Sequence, residues 1–495
     1  MRHYFNNIAK NSSVYFLGNI ITRGFGFILL PVLTRFLSPD EFGIYNFVEI
    51  IVTLCIPLFS LSLLGAVSRF YFDYEEKSKE QKQYLGRIFI FINLVSIVLM
   101  SFFIGFGRSM IESLFSGMDF YPYAVLAFII AVFRISYRYK LTIYRCQQAS
   151  LAYSIFNSSF FIFKLLTLLY VLMVMRKGLI GIVWADLVVS LLFALISLYL
   201  MRDEIRADFD FRQLMPSIKY SLPIIPHDIS GYILSTIDRV FIAGLLTMAD
   251  VGIYSLAVKI SLIMVFLMEA VRMTYNPLFF QKAINDAEES KPFFSKVFTH
   301  TMLLFVFVGL NIIVFSPEII SIFSTPEYRH AGAILPLIII SQVLQGIYYM
   351  TVIPLFLDKK NTYLVTVSTL ISSVINIFLN IWLIKKYQLS GAAIATCISI
   401  GLSALLTYIF SQRIFPIRYE YKRIAYIFLL FIACIVINYW IILPIHSLVF
   451  AIGSKVVLIG LFLYSLLLLK FFTAGELEYA QFVLAKIGIG KKTLS

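Results

Sequence analysis

Apolar runs of twenty or more residues recur along the chain, separated by short polar segments. A bilayer core about 30 Å thick is crossed by about 20 apolar residues in a helix, so each run predicts one span. The pattern places spans at 12–36, 42–69, 85–107, 121–146, 151–175 and 178–201, then at 217–246, 251–276, 296–316, 331–357, 362–384 and 388–412. Two more follow at 424–443 and 447–469. The prediction is an all-α, polytopic membrane protein with fourteen transmembrane helices. Its expected outside loops are short, which leaves no room for an extramembrane catalytic domain. The larger inside connections, 69–87, 202–219 and 273–296, mix both charge signs and predict solvated or interfacial helices.

Composition sharpens this picture. Residues are 60% hydrophobic, 16% aromatic and only 14% charged, against about 25% charged in an ordinary soluble protein. That excludes a soluble enzyme with a tail anchor, a secreted disulfide scaffold and a disordered chain. The net charge of +14 comes from 41 basic and 27 acidic residues. No aromatic-laced basic domain is present, so no nucleic-acid partner is expected. With both termini placed in the cytoplasm, 28 of the 41 basic residues fall on inside segments, 8 on outside segments and 5 within spans. This is the asymmetry that sets orientation in membranes. Cys55, Cys146, Cys397 and Cys434 each fall in an apolar segment without metal-type spacing and read as packing residues. The N-terminal apolar stretch lacks a convincing cleavage site and reads as a first span. No cofactor or metal is expected.

A repeat appears at an offset of about 210. Leu37-Ser38-Pro39-Asp40-Glu41-Phe42-Gly43-Ile44-Tyr45 matches Leu246-Thr247-Met248-Ala249-Asp250-Val251-Gly252-Ile253-Tyr254. Leu179-Ile180-Gly181-Ile182-Val183-Trp184-Ala185 matches Leu389-Ser390-Gly391-Ala392-Ala393-Ile394-Ala395, and Tyr153 matches Tyr363. Six helices per copy is an even number, so both copies enter the membrane the same way. Two such bundles are expected to relate by an axis along the membrane normal, with a substrate path at their interface. The expected domains are a lobe at 1–201, a cytoplasmic linker at 202–216, a second lobe at 217–412, and an extra helix pair with a cytoplasmic tail at 413–495. Gly43 and Gly252 read either as sites of close approach or as ordinary turn residues.

Ionisable groups at membrane depth cost a few kcal/mol each and so imply a cavity or a partner. The cations are Arg23, Arg134, Lys164, Arg239 and Lys259; the acids are Glu49, Asp186, Asp238 and Glu269, with Asp228 nearer a helix end. All lie in the first eight spans. This predicts one polar cavity there and leaves the last two spans facing lipid. Arg23, Arg134 and Lys164 are too deep to reach the surface, and a watery cavity lined by them favours an anion. Guanidinium forks suit phosphate in particular. Lys259, in the outer third of its span, can instead snorkel. Adjacent on a helix, Asp238 and Arg239 point about 100° apart, so an ion pair to another helix and a ligand contact both stay open. Arg69, Arg138, Arg145 and Arg272 read as orientation charges at inner helix ends. Pro31, Pro57, Pro223, Pro226 and Pro277 bend spans one, two, seven and eight, either for gating or as packing kinks.

With these residues in view, the chain resembles the polysaccharide-synthesis flippases of the multidrug/oligosaccharidyl-lipid/polysaccharide exporter superfamily. The resemblance is carried by Asn19-Ile20-Ile21-Thr22-Arg23 to Phe42-Gly43-Ile44-Tyr45. A second carrier runs from Ser221-Leu222-Pro223-Ile224-Ile225-Pro226 through Asp238-Arg239 to Val251-Gly252-Ile253-Tyr254. It implies a multi-pass protein of the bacterial inner membrane that flips a polyprenyl-diphosphate-linked oligosaccharide, such as an O-antigen repeat unit. It also implies a cationic, V-shaped cavity lined by spans one, two, seven and eight. Arg23, Glu49, Asp238, Arg239, Lys259 and Arg272 then lie at or near that cavity, with Arg134 and Lys164 contributed by neighbouring helices. Glu49, Asp186, Asp238 or Glu269 can bind H⁺ or Na⁺ for coupling. Polysaccharide polymerase and chain-length proteins are expected partners beside the bilayer itself. The alternatives are an ion-coupled multidrug or small-molecule exporter of the same superfamily and an integral-membrane enzyme of glycan assembly. The enzyme reading rests on Asp40 and Glu41 at an outside turn, which read better as a helix cap than as a catalytic pair.

Overall fold

A computed structural model describes residue 24 and residues 26–114, 117–207, 210–444, 447–469 and 471–472. It is helical throughout, with no strand among the described residues. Helices α1 (Gly26–Phe36), α2 (Pro39–Phe59), α3 (Leu63–Phe70), α4 (Lys79–Leu114) and α5 (Val125–Cys146) open the chain. They are followed by α6 (Ser150–Leu169), α7 (Gly178–Met201), α8 (Phe211–Ser221), α9 (Ile224–Leu245) and α10 (Met248–Asn285). The remainder comprises α11 (Ala287–Val314), α12 (Ser316–Phe323), α13 (Ala331–Val352), α14 (Tyr363–Ile414), α15 (Tyr421–Ile437) and α16 (Leu448–Leu468).

Among the described residues, eleven helical elements are long and apolar enough to cross a membrane, against fourteen expected spans. The difference has three local causes. Most of the first expected span lies outside the described residues, leaving α1 as a short apolar helix. The expected span at 217–246 starts instead at Pro223, which caps α9, and the 22-residue α9 carries Asp228, Asp238 and Arg239, so it is long enough but not apolar enough to count. Spans 362–384 and 388–412 form the single element α14, which kinks where Gln388 adopts φ 53°. Gly391, from the repeat, lets that kink close, because a Cβ there would collide with the Leu383 carbonyl. The expected span at 42–69 is likewise two helices, since Leu61 and Ser62 take positive φ after α2 ends. The inside connection at 273–296 is helical on both sides of Asp286, so α10 runs 38 residues, about 57 Å and well beyond a bilayer core.

The described chain forms two compact units. The first holds residues 1–260, 320–334 and 373–396; the second holds 261–319, 335–372 and 397–495. In the first unit α5 is the central helix, packed on α2, α4, α6 and α7. Its core with α6 and α7 is aromatic: Tyr137 stacks on Phe160 at 4.5 Å, and Phe156 and Phe193 complete the cluster. In the second unit α11 packs on α15 and α16. The windows crossing α15 and α16 are only 22% and 28% buried, consistent with helices that face lipid on most sides.

The repeated nine-residue motif does the same work twice. Ser38 accepts from the Glu41 amide at 3.3 Å while Glu41 accepts from the Ser38 amide at 3.0 Å, a capping box at the start of α2. Thr247 and Asp250 make the equivalent pair of bonds, each 3.2 Å, at the start of α10. Glu41 is thus occupied in starting a helix. Five residues after each cap residue come Gly43 and Gly252, and these pack against each other. A Cβ on Gly43 would enter the Met248 carbonyl; one on Gly252 would enter the Pro39 carbonyl. The two repeats therefore meet backbone to backbone at their glycines.

Gly43→Ala and Gly252→Ala are expected to destabilise the protein by about 1–3 kcal/mol each through overpacking, measured by thermal unfolding in detergent. Gly105→Ala is the control, since a Cβ there meets nothing within 4 Å; it should be neutral or stabilising by up to about 1 kcal/mol. Equal behaviour of the three would contradict the close crossing.

Candidate functional site

Two polar clusters sit inside the first unit. The first joins α2, α5, α6 and α7. Arg134, from the middle of α5, donates from both terminal nitrogens to Glu49 at 3.1 Å, and from Nη2 alone to both Asp186 oxygens at 2.7 and 2.6 Å. Lys164 donates to the same two carboxylates, at 2.7 Å to Glu49 and 3.0 Å to Asp186. Two cations thus face two anions and the group is charge-balanced. The side chains of Arg134 and Lys164 are 11% exposed and that of Asp186 only 1%, whereas Glu49 is 28% exposed. The Phe160 ring lies under the Arg134 guanidinium at 5.9 Å, joining the ions to the aromatic core. One turn before Glu49, Tyr45 shares the Lys259 ammonium with Phe42, at 5.6 and 4.9 Å to the ring centres.

The second cluster surrounds Asp238 on α9. Its carboxylate accepts from the Tyr254 hydroxyl at 3.0 Å, the Thr396 hydroxyl at 2.7 Å and the Asn380 amide at 3.1 Å. Asn380 also donates to the Asn376 side chain at 3.0 Å, and its own carbonyl oxygen is buried without a donor among the described residues. Asp238 therefore bridges to α10 and α14, held by neutral donors. Arg239 follows it on α9 and is partly buried.

The clusters are related by the repeat. Tyr45 and Tyr254 end the two corner motifs, while Asp186 and Thr396 each follow the last residue of the second matched segment. Equivalent positions carry a cation-matched carboxylate in one copy and a hydroxyl in the other.

Of the remaining candidates, Arg272 pairs with Glu269 on α10 at 2.9 Å and lies over Tyr349, within the second unit. Arg23 lies outside the described residues. Among the described residues no group of three or more His, Cys, Asp or Glu could hold a metal ion. Sequence reasoning missed Asn376, Asn380 and Thr396, which are uncharged; the signal was two asparagines four apart in an apolar helix. It also left Lys455 out of the intramembrane cations, although the expected span at 447–469 contains it. The structure buries Lys455 within α16 against Glu318 at 2.6 Å, so the last helix is not purely lipid-facing.

Buried charge matched on intramembrane helices, with a two-copy repeat, defines a multi-pass transporter-like protein. Comparison with known proteins places it further: the chain belongs to the polysaccharide biosynthesis protein family, whose model matches residues 8–282. It is 25% identical over 438 residues to a protein of Haloferax volcanii described as a "Probable low-salt glycan biosynthesis flippase Agl15", covering 85% of this chain and 87% of that one. It is 21% identical over 423 residues to the capsular polysaccharide biosynthesis protein CapF of Staphylococcus aureus, covering 82% and 100%. The fold is similar to that of the lipid II flippase MurJ in an inward closed conformation, with a TM-score of 0.70, 15% identity and coverage of 90% and 97%. It is also similar to an inward-facing multidrug MATE transporter of the MOP superfamily, with a TM-score of 0.61, 14% identity and coverage of 83% and 95%.

Asp186→Asn is expected to cost about 3–5 kcal/mol, because it strands a buried cation. Arg134→Gln added to Asp186→Asn should cost less than it does alone. Thermal unfolding of the two single variants and the double variant checks this; strict additivity would mean the pair is not coupled.

Proposed function

We propose that the protein flips a polyprenyl-diphosphate-linked oligosaccharide, a surface-polysaccharide repeat unit such as that of O-antigen, from the cytoplasmic to the outer face of a bacterial inner membrane. The observation that carries this reading is the Arg134–Lys164 pair: two cations held side by side on intramembrane helices, in a chain of the polysaccharide biosynthesis family. A guanidinium fork beside an ammonium matches the oxygens of a diphosphate. The polyprenyl tail stays in lipid while the head group passes by alternating access of the two six-helix lobes, 1–201 and 217–412, with both termini cytoplasmic. Polymerase and chain-length proteins take the product on the outer face. No covalent step is needed, so the protein acts as a transporter. Outward movement of negative charge is favoured by an inside-negative potential, by about 2.3 kcal/mol per charge per 100 mV.

Asp238 is the coupling carboxylate in this reading. Glu49 and Asp186 are already neutralised by fixed cations, whereas Asp238 is held by two hydroxyls and the Asn380 amide nitrogen, neutral partners that leave its charge for a proton or Na⁺ to match. The fold shared with MATE transporters keeps a small-molecule exporter as the second reading.

The test uses a strain lacking the gene. Surface polymer should be lost, with lipid-linked repeat units facing the cytoplasm, and wild type should restore it while Arg134→Gln/Lys164→Gln, equally expressed, should not. Asp238→Asn should abolish the dependence of flipping on the coupling-ion gradient. Repeat units that still reach the outer face in a strain without a second flippase would favour the exporter.

A further inference from the structure

Resting on the flippase reading above, we propose that Glu49 is a stand-in for the substrate: its carboxylate fills the Arg134–Lys164 fork when the protein is empty, and an incoming diphosphate displaces it onto Lys259. The two carboxylates of the cluster are not equivalent. Each contacts both cations, but Asp186 is sealed at 1% exposure and Glu49 is reachable at 28%. Asp186 by itself still spans Arg134 and Lys164 without Glu49, through contacts of 2.6 to 3.0 Å. Removing Glu49 therefore leaves both cations anchored in place and gives the remaining three groups a net charge of about +1, ready for an anion. Glu49 takes both terminal nitrogens of Arg134 and the ammonium of Lys164 together, the arrangement a phosphate group would adopt there.

A displaced carboxylate on an intramembrane helix needs a new partner. Lys259 supplies it. It lies against Tyr45 and Phe42, one and two turns before Glu49 on the same helix, with ring faces rather than a salt-bridged carboxylate beside its ammonium among the described residues. A cation in contact with ring faces but in no salt bridge is held less tightly than a paired one, and Glu49 is already near enough to attract it. Lys259 belongs to α10, so filling the fork would draw α2 and α10 together through a new Glu49–Lys259 pair. The site thus reports its own occupancy to a second helix.

The test is a double-mutant cycle on the purified full-length protein in nanodiscs, titrated with farnesyl diphosphate, farnesyl monophosphate and inorganic diphosphate. Glu49→Gln should bind farnesyl diphosphate about tenfold more tightly than wild type, and Glu49→Asp, which keeps the charge but shortens its reach, should gain less. Lys259→Gln should weaken binding about tenfold in wild type, where Glu49 loses its second partner, and should have no effect in Glu49→Gln. A gain shared by inorganic diphosphate assigns the fork to the diphosphate itself; a gain restricted to the farnesyl compound assigns it to the lipid-linked head group. Glu49→Gln binding no more tightly than wild type, or Lys259→Gln weakening both backgrounds equally, overturns the inference. Either failure leaves the deletion phenotype untouched, so the flippase reading is judged separately.

Discussion

A charge on a helix inside a membrane must be matched, because neither lipid nor packed side chains can solvate it. That constraint organises the first unit of this protein. Arg134 and Lys164 leave the aromatic core of α5, α6 and α7 and enter a ring of carboxylates drawn from α2 and α7. The four groups neutralise one another, so the helices can pack without an unpaired ion. The same match makes the cluster responsive, since anything that competes for one member changes the balance of the rest. A buried ion pair adds little net stability over apolar packing.

The duplication explains why there are two clusters and why they differ. Each copy begins a helix with a capping box, crosses the other at a glycine and places a tyrosine beside a polar group. In the first copy the polar group has permanent cationic partners. In the second, Asp238 has hydroxyls and an amide. One scaffold thus carries fixed countercharge in one half and a carboxylate held by neutral donors in the other.

Much of this was legible in the sequence, for physical reasons. Apolar runs marked an all-helical, multi-pass chain, and the offset repeat marked Gly43 and Gly252 before their contact was known. Arg134, Lys164, Glu49 and Asp186 stood out because charge is costly in such segments. Their mutual pairing was not legible, because residues 49, 134, 164 and 186 come from four helices whose rotation about their axes is fixed only by packing. For the same reason the cations read as lining an open cavity, while the structure balances two of them with carboxylates. Asn380 and Thr396 escaped notice because uncharged polar residues are common in membrane helices. Lys455 was passed over in the expected span 447–469, because its partner Glu318 lies 137 residues away in the sequence.

The most direct test of the account is transport by the purified protein in proteoliposomes. A fluorescent polyprenyl-diphosphate oligosaccharide would be followed by its accessibility to a membrane-impermeant quencher. The account predicts transfer by wild type, slowed at least about tenfold when Arg134→Gln and Lys164→Gln are combined at equal incorporation. Transfer at the wild-type rate by that variant would contradict it, as would wild-type protein that moves organic cations but leaves the lipid-linked glycan in place.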